Sequence, residues 1–153
     1  MNQARRVVVI GAGLSGLMAA QSLQAQGHNV LMVDKGRSPG GRLATRRIGT
    51  ATLDHGAQFF TVRSDEFAQH VDAWLQQGVV REWCKGFATT DAHSRFVGVG
   101  GMNAIAKHLA TSLEVRCNTL AFAIERGVTT AWRLKIDDAS FIDADALIVT
   151  CPI

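Results

Sequence analysis

The chain has 153 residues, 47% of them apolar and 19% charged, the size and balance of one ordinary globular domain with a buried core and not of a disordered segment. Apolar runs such as Val7 to Ile10 and Ala146 to Val149 are far shorter than the roughly 18 residues of a membrane span, and the opening MNQARR is followed by no apolar signal region. Cys84, Cys117 and Cys151 are widely spaced and form no C-x-x-C, which argues against a disulfide framework and a zinc site and suits a reducing cytoplasm. Net charge is only +3, yet Lys35, Arg37, Arg42, Arg46 and Arg47 follow one another with no acid before Leu53. A local cationic stretch in a nearly neutral protein suits a specific anionic ligand better than a nucleic-acid surface, although a solvated basic loop has the same composition.

In chain order, Val7-Val8-Val9-Ile10 reads as a strand buried on both faces of a parallel sheet. It runs into Gly11-Ala12-Gly13-Leu14-Ser15-Gly16. Leu17 to Gln26 is rich in helix formers, Gly27 stands where a helix C-terminal glycine belongs, and Asn29 to Val33 is a second short strand closed by Asp34. From Gly36 to Gly56 the chain is rich in glycine and holds Pro39, so it reads as loop. Ser64-Asp65-Glu66 then starts a helix, with Phe67, Val71, Trp74 and Leu75 on one apolar stripe and Gly78 at its end. Gly98 to Gly101 is another break, after which Met102, Ile105, Leu109 and Leu113 mark a second amphipathic helix. Four short strands follow: Leu113 to Cys117, Leu120 to Glu125, Thr129 to Ile136 beyond an Arg126-Gly127 turn, and Asp145 to Thr150, with a further turn at Asp137-Asp138. Ala146 to Thr150 has the look of a buried strand that leads onward, so the chain is expected to be part of a longer protein.

The strongest chemical signal is Gly11-x-Gly13-x-x-Gly16. It follows a buried strand, opens a helix, and is answered by Asp34, 18 residues after Gly16 at the end of the next strand. That context makes it a dinucleotide-binding fingerprint. Gly11 permits the tight turn, Gly13 lets the backbone approach a pyrophosphate, and Gly16 lets helix and strand pack closely. Free N–H groups and the helix dipole then receive the phosphates. The Asp34 carboxylate suits ribose hydroxyls and would repel a 2′-phosphate.

Asp34-Lys35-Gly36-Arg37-Ser38-Pro39-Gly40-Gly41-Arg42 resembles the flavin-containing amine oxidase superfamily, in which an acid, an arginine and Gly-Gly-Arg wrap FAD. Leu53-Asp54-His55-Gly56-Ala57-Gln58-Phe59-Phe60-Thr61, taken with Gly40 to Arg47, narrows the resemblance to renalase, particularly its bacterial relatives. Phe96-Val97-Gly98, Gly100 to Ala106, Asn118 to Ala121 and Ala144 to Pro152 are similar as well.

The resemblance implies an α/β, Rossmann-like FAD/NAD(P)-binding fold with a parallel sheet. Residues 1–60 would begin the FAD-binding domain, 61–96 would begin a substrate-facing lobe, and 97–153 would return to the FAD-binding domain. It implies an FAD cofactor held by Gly11, Ala12, Gly13, Leu14, Ser15, Gly16, Asp34, Lys35, Arg37, Gly41, Arg42 and Leu43, with Gly56, Ala57, Gln58 and Phe59 beside the isoalloxazine and Ala121 against adenine. Gln58, Phe59, Phe60, Thr61, Phe96, Val97 and Gly98 would line the substrate pocket, although each phenylalanine also suits ordinary core packing. The implied reaction is oxidation of isomeric reduced NAD(P) by FAD, with O2 converted to hydrogen peroxide. An amine oxidase, a desaturase-like enzyme or a non-catalytic dinucleotide-binding module are the alternatives, so the small-molecule partner is a dinucleotide or an amine. The resemblance names no catalytic acid or base, and His28, His55, His70, His93 and His108 show no metal-ligand spacing.

Overall fold

The computed structural model describes residues 3–87 and 92–151. In chain order the elements are β1 (Arg6–Ile10), α1 (Leu14–Ala25), β2 (Asn29–Val33), a single 3-10 turn (Gly41–Leu43), β3 (Thr45–Ile48), β4 (Ala51–Asp54), β5 (Phe60–Thr61) and α2 (Asp65–Gln76). There follow β6 (Val80–Lys85), β7 (Ser94–Gly98), α3 (Asn103–Ala110), β8 (Glu114–Arg116), β9 (Ala121–Arg126), β10 (Trp132–Ile136), β11 (Phe141–Ala144) and β12 (Ala146–Val149). The chain divides into two compact units, Met1–Gly41 with Leu109–Ile153, and Arg42–His108. Among the described residues no helix is long and apolar enough to cross a membrane.

The first unit is built on a four-stranded parallel sheet ordered β12-β1-β2-β8, with Val8 opposite Leu31 on one side and Leu147 on the other. Both faces of β1 and β2 are covered, which is why their sequences are unbroken apolar runs. Side chains alternate across the pleat, so Val8, Ile10, Leu31 and Val33 share one face. That face packs on Leu134 and Ile136 of β10 and on Ile142 and Ala144 of β11, forming a hydrophobic core. The helix α1 packs against β1 and β2 with Leu17 and Ala20 fully buried. The remaining strands form an antiparallel meander, β11-β10-β9. Each fully buried aliphatic side chain in such a core contributes about 1.5–3 kcal/mol.

The second unit carries the β3–β4 hairpin, α2 and an antiparallel sheet ordered β5-β7-β6. Ser64 caps α2 as expected, its hydroxyl oxygen accepting from the Phe67 N–H at 3.3 Å, and Val71 and Trp74 of the apolar stripe are buried.

Several sequence expectations are corrected here. The Gly36–Gly56 stretch is not all loop: it contains the 3-10 turn and the hairpin, whose strands pair Thr45 with Asp54 and Ile48 with Ala51 around a two-residue Gly49-Thr50 connection. Gly49 adopts φ +58°, the left-handed conformation that such tight hairpin turns need at one position. The strand expected over Thr129 to Ile136 begins only at Trp132, because the preceding residues complete the turn from β9. The strand expected over Leu113 to Cys117 is β8, which joins the parallel sheet at its edge beside β2.

Candidate functional site

In the first unit the glycine turn lies at the C-terminal ends of the parallel strands, where doubly wound sheets bind ligands. Gly13 is the N-cap of α1, with φ −77° and ψ 178°. No side chain caps the helix and no acid occupies its first turn. The first helical hydrogen bond runs from the Leu17 N–H to the Gly13 carbonyl at 3.0 Å, so the N–H groups of Leu14, Ser15 and Gly16 have no acceptor within the helix. The helix start is therefore a concentrated source of donors and positive potential for an anion.

The three glycines divide their work by geometry. A Cβ on Gly16 would lie 2.0 Å from the Gly11 carbonyl oxygen, so only glycine lets α1 cross the turn this closely. Gly11 holds φ +103°, and a Cβ there would meet the Thr150 hydroxyl at 2.7 Å. A Cβ on Gly13 would meet nothing within 4 Å. Its bare backbone thus faces open space and is not filled by the protein's own packing, which is what a cradle for a pyrophosphate requires.

The double-glycine loop closes onto this turn. Gly40 donates its N–H to the Ala12 carbonyl at 2.9 Å and forms an isolated parallel bridge with Gly13; a Cβ on Gly41, at φ +53°, would lie 3.4 Å from the Gly13 Cα. The two glycine loops thus meet at one helix start. Lys35 and Arg37 lie exposed on the segment between them.

Asp34 organises the turn. One carboxylate oxygen accepts the Ala12 N–H and the other the Gly36 N–H, each at 2.6 Å. Each oxygen keeps capacity for a further donor. The 116–119 segment runs alongside, with the Asp34 N–H bonded to the Arg116 carbonyl and the Asp34 carbonyl accepting from Thr119. Burial pushes the Cys117 thiol above its ordinary range and the nearby Asp34 charge adds to the effect, so this sulfur is a poor nucleophile at neutral pH. Ala121 begins β9, the edge strand of the meander. With Ile10, Phe122, Ile124, Val149 and Cys151 it lines an apolar cleft of about 270 Å3. Thr150 is a residue that motif reading overlooks: its hydroxyl lies 3.0 Å from the Ile10 carbonyl and 3.1 Å from that of Gly11, tying the end of β12 to the glycine turn. Pro152 lies outside the described residues.

The remaining sequence-predicted residues belong to the second unit. The Arg42 carbonyl accepts the Ala57 N–H at 2.7 Å, and a Cβ on Gly56 would lie 2.0 Å from that same oxygen, so the 55–57 turn seats tightly on the Arg42–Leu43 step. Leu43 is buried, Arg42 and Gln58 are exposed. Phe60 and Phe96 pair in register and stack at 5.6 Å, on the face where Phe67 and Trp74 of α2 complete an aromatic cluster. Phe59 joins a different group, with Trp83 and Phe87. Thr61 pairs with Arg95, Val97 with Arg81 and Gly98 with Val80. Asp54, read only as a neighbour of His55, accepts the Met102 N–H at 2.9 Å and the Thr45 hydroxyl, while Thr45 accepts from the Asn103 N–H at 3.1 Å. Together they cap the start of α3 from positions about fifty residues away, a distance no local capping pattern reveals.

Comparisons with known proteins agree with this geometry. Residues 9–77 match the NAD(P)-binding Rossmann-like domain family. The chain is 45% identical over 58 residues to hydroxyneurosporene desaturase of Rubrivivax gelatinosus, and 38% identical over 68 residues to putrescine oxidase of Kocuria rosea. Those stretches make up 38% and 44% of this chain but only 11% and 14% of the two relatives. It is also 42% identical over 59 residues, 39% of this chain and 13% of the relative, to a Mycobacterium tuberculosis protein described as a candidate flavin-containing monoamine oxidase. Among solved structures, a fatty acid isomerase from P. acnes has a TM-score of 0.76 at 12% identity, and a putrescine oxidase bound to putrescine 0.72 at 15%. These alignments cover 99% and 98% of this chain, and 60% and 58% of those structures. The chain thus carries a Rossmann-like α/β fold, and its sequence relatives include desaturases and amine oxidases.

Proposed function

We propose that the chain binds FAD and supplies the cofactor-binding part of a renalase-like, cytoplasmic oxidoreductase that converts isomeric reduced NAD(P) to NAD(P)+, without a nucleic-acid or membrane partner. The observation that carries the reading is the acid-free start of α1 at Gly13, open to space and flanked by the Gly40–Gly41 loop. Bound there, FAD would supply the hydride acceptor, with O2 as the final oxidant and hydrogen peroxide as its product.

The protein's part is to bind and orient. Leu14, Ser15 and Gly16 donate backbone N–H groups to the pyrophosphate, with Lys35, Arg37 and Arg42 adding positive charge. Asp34 accepts ribose hydroxyls on the lone pairs left beside its two backbone donors. Ala121, on an edge strand with unpaired outward backbone groups, meets adenine in the apolar cleft. Gly56, Ala57, Gln58 and Phe59 flank the isoalloxazine, and 61–96 opens the substrate lobe, with Phe60, Thr61, Phe96, Val97 and Gly98 bounding the pocket. The likeness to putrescine oxidase and to desaturases favours a second reading, oxidation of an amine or of a carbon–carbon bond on the same cofactor half.

The FAD-loaded protein mixed anaerobically with an isomeric dihydronicotinamide dinucleotide, and separately with putrescine, discriminates the substrates. The renalase-like reading expects the visible flavin band to bleach with the dinucleotide; bleaching by putrescine alone replaces it with the amine oxidase reading.

A further inference from the structure

The peptide unit between Gly11 and Ala12 is gripped at both ends, from the two strands that flank β1. In a trans peptide the carbonyl and the N–H point to opposite sides. On one side the Gly11 carbonyl faces the Thr150 hydroxyl at 3.1 Å, just beyond β12. On the other the Ala12 N–H is donated to Asp34 at 2.6 Å, just beyond β2. The hydroxyl also lies 3.0 Å from the Ile10 carbonyl, but that oxygen already accepts the Thr150 backbone N–H at 2.9 Å. The Gly11 carbonyl is therefore where the hydroxyl proton is needed. Gly11 itself, at φ +103°, has no Cβ to resist rotation of this peptide. Ala12 is fully buried, and its own carbonyl accepts the Gly40 N–H at 2.9 Å. The setting of one peptide unit thus governs two contacts, the Asp34 carboxylate and the seat of the second glycine loop.

We propose that, on the FAD-binding reading above, Thr150 is a positioning residue for the cofactor: its hydroxyl locks the Gly11–Ala12 peptide, and through the Ala12 N–H it fixes the Asp34 carboxylate that receives the ribose. A carboxylate turns about a broad, weakly restrained last torsion. With the Ala12 N–H on one oxygen and the Gly36 N–H on the other, its plane is set and its remaining lone pairs keep one direction. Without the hydroxyl, the Gly11 carbonyl loses a donor in a crowded place, pressed against Gly16, where a Cβ would lie 2.0 Å away. Rotation of the peptide toward another donor takes the Ala12 N–H off Asp34. The carboxylate is then loose before the cofactor arrives, and the cost of ordering it falls on binding. A hydroxyl-bearing residue thus follows a strand that is otherwise Ala, Leu, Ile and Val.

The test compares Thr150→Val, which keeps the branched shape and removes the hydroxyl, with Thr150→Ser, which keeps the hydroxyl. In 15N-labelled protein without FAD, the Ala12 amide signal is expected to move upfield in Thr150→Val, as its bond to a carboxylate loosens, and to stay in place in Thr150→Ser. FAD affinity, read by flavin fluorescence, is expected to fall about tenfold in Thr150→Val, the effect of one lost hydrogen bond, and to return in Thr150→Ser. Because Thr150 acts through Asp34, adding Thr150→Val to Asp34→Asn is expected to lower affinity only about twofold or less. Thr150→Ala provides the same comparison if the valine variant does not fold. An Ala12 signal that Thr150→Val leaves in place, equal FAD affinity in that variant and the parent, no recovery in Thr150→Ser, or additive losses with Asp34→Asn overturns the proposal. A parent that binds FAD with the Ala12 signal unmoved by Thr150→Val loses the Thr150 lock alone, whereas a parent that binds no FAD loses the flavin reading.

Discussion

Gly13 and Gly16 stand three residues apart in one motif, yet the structure gives them opposite sensitivities. A methyl group on Gly16 collides with the Gly11 carbonyl at 2.0 Å, and both partners are backbone, so neither yields without moving α1 off the sheet. Gly16→Ala is expected to cost about 2 kcal/mol or more, in the range of overpacked cores. Gly13→Ala meets no atom and sits at an ordinary φ, so its unfolding free energy is expected within about 1 kcal/mol of the parent. Urea titration of the two variants checks the contrast, and equal losses would contradict the division of roles. Motif spacing located these glycines. It did not show that Asp34 is already committed to two backbone donors, or that Thr150 laces the turn from more than a hundred residues away, because neither contact has a local sequence pattern.

Among the elements, those with a strong apolar signature were legible. β1 and β2 are runs of Val, Leu, Ile and Met because they are buried, and α2 shows both its serine cap and its stripe; β12, expected from its apolar run to be buried, is only half-buried at the sheet edge, with Val149 exposed. The β3–β4 hairpin was not, because β3 and most of β4 lie exposed and arginine, threonine and glycine leave no apolar alternation to detect. Nor were β6 and β7, where a bulge interrupts the period-two pattern. The meander carries its own electrostatic element: Arg133 of β10 and Asp143 of β11 face each other in register, with bonds of 2.8 and 3.2 Å. The hydrogen bond from Arg133, aided by its charge, holds the Asp143 carboxyl below the ordinary carboxylate range, while partial burial opposes it. A carboxyl with a depressed folded-state pKa stabilises the fold above its unfolded value of about 3.9, and that contribution disappears as pH falls through the depressed value. Melting temperature is therefore expected to drop more steeply below pH 5 in the parent than in Asp143→Asn; parallel curves would contradict this pairing.

At the scale of the whole molecule, one unit holds the parallel sheet and the glycine cradle, and the other holds the hairpin and the aromatic sheet, each with its own buried residues. The sequence relatives match over stretches of 58 and 68 residues and the domain family over residues 9–77, whereas the structural neighbours extend the likeness across nearly the full chain. Everything proposed about chemistry depends on a dinucleotide lying against the bare backbone of Gly13. Titration of FAD into the protein and into Gly13→Val, followed by flavin fluorescence, tests this directly. Saturable quenching at one FAD per chain, lost in Gly13→Val while its circular dichroism stays that of the parent, is the predicted result; no quenching by the parent, or equal quenching by the variant, would contradict it.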